Sequence, residues 1–145
     1  MRVSEVMTPD AVVVSADTTL AEAARTMKLL DVGPLPVVEG KRVVGMVTDR
    51  DITVRATAEG VDPRAAFVRD VMTAEVVACL ESDDVSAAAR MMQITQLRRL
   101  VVVDDDGRMV GIVSLNDIAR QTRDERLTAE TLEGVLAPGR GGPVS

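Results

Sequence analysis

Histidine, tryptophan and tyrosine are absent from this chain, and phenylalanine and cysteine occur once each. Without histidine there is no Ser-His or Cys-His pair, and with Cys79 as the single thiol there is no zinc cluster and no disulfide within one chain. Hydrolytic and metal-dependent enzymes thereby lose their usual machinery. With Phe67 as the sole ring, the core must be aliphatic and a bound base cannot stack on Trp or Tyr. Cations are in deficit, 17 Lys and Arg against 23 Asp and Glu, for a formal net charge of -6. A nucleic-acid binder needs a basic surface to displace counterions, so no nucleic-acid partner is expected, although a few well-placed arginines can hold one small phosphate. Long apolar runs are missing as well. The run at residues 100–103 is far short of a membrane span, and no basic-then-apolar segment leads the chain, so no membrane contact and a cytoplasmic location are expected.

What the chain does have is a 46% hydrophobic composition within 145 residues, and an internal duplication. Val6-Met7-Thr8 opens one pass and Val71-Met72-Thr73 the next. Gly45-Met46-Val47-Thr48-Asp49-Arg50-Asp51-Ile52 closes the first, and Gly111-Ile112-Val113-Ser114-Leu115-Asn116-Asp117-Ile118 closes the second. The period, 65 at Met7/Met72 and 66 at Asp51/Asp117, is too long for a solenoid unit and fits two small subdomains that share a core. In the first pass the pattern predicts a strand at 12–14, then a helix capped by Asp17 or Thr18 with Leu20, Ala23, Ala24, Met27 and Leu30 on one face. A hairpin at 35–38 and 43–47 and a helix at 51–58 follow. The second pass repeats this with a strand at 76–80, a helix at 85–94, a hairpin at 100–103 and 109–113, and a helix at 116–122. The class is α/β in the α+β sense, β-α-β-β-α twice. Residues 1–58 form the first repeat, 59–67 a linker, 68–122 the second repeat, and 123–145 a short amphipathic helix with a mobile Gly- and Pro-rich tail.

Both closing octets carry a hydroxyl and a carboxylate three residues apart, Thr48 with Asp51 and Ser114 with Asp117, where an apolar strand gives way to a helix. A carboxylate there can accept from the vicinal hydroxyls of a ribose, and the hydroxyl with the helix-start N–H groups can bind a phosphate oxygen. Helix capping explains the same residues, since Ser, Thr and Asp are preferred at helix starts, and a duplication copies caps as well as sites. The residues alone leave both readings open.

The order and repetition of these parts, together with the Leu35-Pro36-Val37-Val38 strand and the alanine pairs Ala23-Ala24 and Ala88-Ala89, resemble a tandem CBS-domain pair, or Bateman module, over about residues 3 to 122. The resemblance implies two repeats packed about a pseudo-two-fold axis, with clefts between them that hold adenine nucleotides. Asp51 and Asp117 would then bind the ribose diol and Thr48 and Ser114 phosphate or ribose. Val12, Val32, Met46, Val77, Leu97 and Ile112 would line the adenine. Arg98 and Arg99 resemble the cation-bearing strand that contacts phosphates in the family, where the first pass has Gly33-Pro34. Arg50 is the cation available to the first site. The Asp117 site is therefore expected to favour phosphate-bearing ligands.

The function so implied is non-enzymatic regulation. No cofactor is required; AMP, ADP or ATP is the expected regulatory ligand, with S-adenosylmethionine or NADH as further adenosyl candidates, and the response passes to an unidentified effector protein. A homodimer formed through the small-residue helix faces at 21–27 and 86–92 is also expected. The competing reading is a ligand-free structural or stress-response homodimer. An enzyme has only Thr48 and Asp51 to rest on, without base, nucleophile or metal site. Cys79 matches Val14 on a buried strand and reads as core, and the acidic run Asp104-Asp105-Asp106 reads as a hairpin turn closed by Gly107.

Overall fold

The computed structural model describes residues 1–138; the Gly139 to Ser145 portion of the expected tail lies outside the described residues. In chain order the first elements are α1 (Val3–Val6), β1 (Thr8–Pro9), β2 (Val14–Ser15), α2 (Leu20–Leu30), β3 (Leu35–Glu39), β4 (Arg42–Val47) and α3 (Asp49–Asp51). Helix α3 continues as a π-helical segment, Ile52–Thr57, and a 3-10 turn spans Val68–Asp70. Then come β5 (Ala78–Leu80), α4 (Val85–Thr95), β6 (Arg99–Val103), β7 (Met109–Ser114), α5 (Leu115–Thr122) and α6 (Glu125–Leu136).

These elements form two compact units, one of residues 12–76 and one of residues 1–11 with the chain from Val77 onward. The first is built on a three-stranded sheet, β2-β3-β4, with β2 parallel and β4 antiparallel to β3. The second has a four-stranded sheet, β1-β7-β6-β5. Its β5-β6-β7 part repeats the first sheet down to a register shift at the same place, Val37/Val38 and Val102/Val103. The cores are aliphatic, as the missing aromatics require. Leu20, Leu35, Val37 and Val47 are buried in the first unit, and Met92, Leu100, Val102, Val113 and Ile118 in the second. Phe67 stays 37% exposed under the Arg69 guanidinium, 5.1 Å from the ring centroid.

The opening tripeptides explain the glycines of the octets. In the second unit β1 runs antiparallel to β7, with Thr8 opposite Ile112 and Pro9 opposite Gly111. In the first unit Thr73 exchanges two backbone hydrogen bonds of 2.9 Å with Met46. Each crossing passes directly over a glycine. A Cβ on Gly45 would stand 2.8 Å from the Thr73 carbonyl oxygen, and one on Gly111 2.6 Å from that of Thr8. Any side chain there would push the crossing strand away, so the octet and the tripeptide are two halves of one joint.

Several local expectations are corrected. Neither Asp17 nor Thr18 caps α2: Thr19 does, its Oγ1 accepting from the Glu22 N–H at 3.3 Å, while Thr18 accepts from Ser15 N and Asp17 pairs with Arg69 at 2.6 Å. Pairing begins at Val14 rather than residue 12, because Val14 and Ser15 are the residues in register with Val37 and Val38. Val12 precedes the strand and is 46% exposed. The apolar face of α2 is narrower than its periodicity implies, for Leu20, Ala23 and Met27 are buried but Ala24 and Leu30 are exposed. Ala89, the repeat-mate of Ala24, is fully buried, since α6 packs along α4 and brings Val135 into its core. No helix follows the π-helical segment in unit 12–76 to cover α2 in the same way. Among the described residues no helix is long and apolar enough to cross a membrane.

Candidate functional site

Both hydroxyl-carboxylate pairs fold into reciprocal capping boxes. Thr48 Oγ1 accepts from Asp51 N at 3.0 Å while Asp51 Oδ2 accepts from Thr48 N at 3.0 Å. Ser114 Oγ accepts from Asp117 N at 3.0 Å while Asp117 Oδ2 accepts from Ser114 N at 2.9 Å. Capping itself engages only part of each pair. The hydroxyl accepts but keeps its own O–H to donate, and the carboxylate keeps Oδ1. The geometry therefore offers a donor and an anionic acceptor side by side, as a polyhydroxylated ligand requires.

The surroundings of Oδ1 differ between the units. Asp51 Oδ1 lies 3.8 Å from Arg55 Nε, and Arg55 itself donates from Nη1 to the carbonyls of Val71 and Met72 at 3.1 and 3.4 Å. Asp117 is 5% exposed, and its Oδ1 accepts from Arg120 Nη2 at 3.0 Å and from Thr8 Oγ1 at 3.5 Å. Thr8, Arg55 and Arg120 escaped the sequence reading. Arginines three or four residues after a helical carboxylate were the available signal for two of them. Nothing local announces Thr8, which is 109 residues from its partner.

Arg99 begins β6 directly opposite Ser114, and directly opposed residues of an antiparallel pair project to the same face. The Arg98 carbonyl accepts from Leu115 N at 2.9 Å, tying the arginine pair to the start of α5. Both arginines are exposed. In the other unit a carboxylate takes this place, since Asp49 Oδ1 lies 3.0 Å from where a Cβ on Gly33 would be. Arg50 is exposed on α3, and its backbone N–H donates to Asp49 Oδ1. The second unit thus sets Arg120 on the Asp117 carboxylate and Arg99 on the Ser114 face of its sheet, whereas the first has Arg55 3.8 Å from Asp51 and the Asp49 carboxylate beside Gly33. Anions are favoured at the former.

Met46 and Ile112 are half-buried one position before the fully buried Val47 and Val113, on the alternate face of their strands. Val32, Val77 and Leu97 are half-buried against their own unit's core, whereas Val12 is not. Cys79 is buried, and burial, with the charge of Asp83 adding to it, pushes its thiol up to about 11. It is a core residue with little thiolate at neutral pH. In the 104–107 turn, Asp104 Oδ1 accepts from the N–H groups of Asp106 and Arg108, both at 2.9 Å, so local bonds account for this acid.

The structure is a duplicated α+β module, each half of which carries a capped strand-to-helix junction. The chain belongs to the CBS-domain family, which matches residues 3–56 and 68–124. It is 42% identical over 117 residues to the CBS domain-containing protein YhcV of Bacillus subtilis, covering 81% of this chain and 82% of that one. An inosine-5'-monophosphate dehydrogenase of Methanocaldococcus jannaschii is 30% identical over 143 residues, but the chain spans only 28% of that enzyme. Among solved structures, CBSX2 of Arabidopsis thaliana in complex with AMP superposes with a TM-score of 0.73 at 28% identity, covering 86% of this chain and 98% of that one. The CBS domain pair of protein MJ0100, in complex with 5'-methylthioadenosine and S-adenosylmethionine, gives 0.68 at 27%, covering 83% and 98%.

Proposed function

We propose that this chain is a non-enzymatic regulatory module that binds an adenosine-containing ligand at Thr48/Asp51 and Ser114/Asp117 and passes the change to a protein partner, acting in the cytoplasm as a homodimer. The observation that carries this reading is the hydroxyl donor and the second carboxylate oxygen that the capping box leaves over at both junctions, where it has already fixed the side chains. Bound adenosyl compounds in two structurally similar CBS pairs support the ligand class. Arg120 at Asp117 and Arg99 opposite Ser114 favour AMP, ADP or ATP there; S-adenosylmethionine and NADH share the ribose and adenine and belong in the same test. Binding regulates only if the ligand's affinity differs between two arrangements of the protein.

Calorimetric titration with AMP, ADP, ATP, S-adenosylmethionine and NADH tests the reading. Asp117→Ala is expected to lose at least tenfold in affinity for AMP, as removal of a charged hydrogen-bond acceptor does, and Asp51→Ala less. Equal losses would overturn the asymmetry. Absence of binding by all five would favour a second reading, a ligand-free structural homodimer, because the capping boxes by themselves account for the Thr/Ser-Asp pairs.

A further inference from the structure

Each junction carboxylate is faced by an arginine from the following helical turn, yet the two arginines are not repeat-mates. Aligned on Asp51 and Asp117, Arg120 corresponds to Val54 and Arg55 to Gln121. The duplication accounts for the capping boxes and not for these cations, which reach the two outer oxygens from different helical positions. The two differ in freedom. Arg55 is tethered to the carbonyls of Val71 and Met72 and only approaches Asp51, at 3.8 Å. Arg120 has Asp117 as its sole partner among the described residues, at 3.0 Å, and its side chain is 71% exposed.

We propose that Arg120 is a displaceable counter-ion that sets the selectivity of the Asp117 site, an inference that rests on reading Asp117 as the ribose-binding carboxylate. Oδ2 is held by Ser114 N, so Oδ1 is the oxygen a diol must share, and Arg120 holds it at 3.0 Å with Thr8 Oγ1 farther off at 3.5 Å. A carboxylate as buried as this one needs a partner, and the guanidinium supplies one until a ligand replaces it. An uncharged nucleoside must turn the arginine out into water. A phosphate-bearing ligand gives the released cation a new anion to face. Arg120 thereby discriminates against uncharged nucleosides.

The test is calorimetric titration of adenosine and AMP against the wild-type chain, Arg120→Gln, Arg120→Lys and Asp117→Ala. Arg120→Gln is expected to bind adenosine about two- to fivefold more tightly, the range set by a partly exposed ion pair, and AMP no more tightly than wild type. Arg120→Lys, which keeps the charge without the planar fork, is expected to fall between and serves if the glutamine variant does not fold. Weaker adenosine binding by both variants, or the same factor for adenosine and AMP, would overturn the selectivity role while Asp117→Ala still loses binding. Unchanged binding by Asp117→Ala, or no binding by the wild type, would overturn the ribose reading and this inference with it.

Discussion

At the scale of single residues, the tightest constraints lie on glycines. Gly45 and Gly111 are needed because another segment's backbone crosses them, and the consequence is measurable. Gly111→Ala places a methyl 2.6 Å from the Thr8 carbonyl oxygen and 3.0 Å from Met7 Sδ. The thioether can swing aside, but the carbonyl belongs to a paired strand and cannot move without loosening β1. The variant is expected to lose about 1–3 kcal/mol, the usual cost of overpacking, read from the urea midpoint at unchanged slope. Gly40→Ala, with nothing within 4 Å but a φ of +63°, provides the contrast, a purely conformational cost of about 1 kcal/mol. The octet glycines were legible as a repeat. What they were for was not, because the segment above each is distant in sequence or belongs to the other pass.

At the scale of elements, the hairpins were legible nearly to the residue, since alternation and the turns at Gly40 and Gly107 fix them locally. The helices were legible in position but not in environment. Periodicity identifies the face that meets the sheet and is silent about what covers the flank, which is why Ala24 and Ala89 look alike in sequence and differ in burial. Helix α6 makes that difference. Gly134 lies against Gln93, where a Cβ would meet the Gln93 Cβ and Cγ at 2.7 and 2.5 Å, and the Gln96 side chain donates to the Ala137 carbonyl. Gly134→Leu is expected to lift α6 from α4, raising hydrogen exchange in α4 while α2 exchanges as before. Unchanged protection of α4 would show that α6 does not cover it. The capping boxes were equally legible, whereas the cations at their outer oxygens were not, because helix spacing permits such a pair without requiring it.

At the scale of the whole molecule, the repeat order of the sequence differs from the way the compact units draw on the chain. Unit 12–76 is continuous, but the other takes residues 1–11 along with the chain from Val77. Val3 and Val6 are buried in that core, Val3 N donates to the Asp83 carbonyl at 2.8 Å, and β1 forms one edge of its sheet. Deleting residues 1–11 is therefore expected to lower hydrogen-exchange protection across β5–β7, α4 and α5 and to leave β2–β4 protected. Uniform loss would mean that the two units unfold as one.

That division of the chain has a consequence for synthesis. Residues 1–11 are translated before residues 12–76, yet the partners that order them lie from Val77 onward. At about 5–20 residues per second, α1 and β1 wait several seconds with Val3 and Val6 uncovered, while the 12–76 unit already has all of its own chain. Residues 1–11 thus find their place only after the unit translated behind them, which makes α1 and β1 the elements of these two units most in need of protection while the chain is being made.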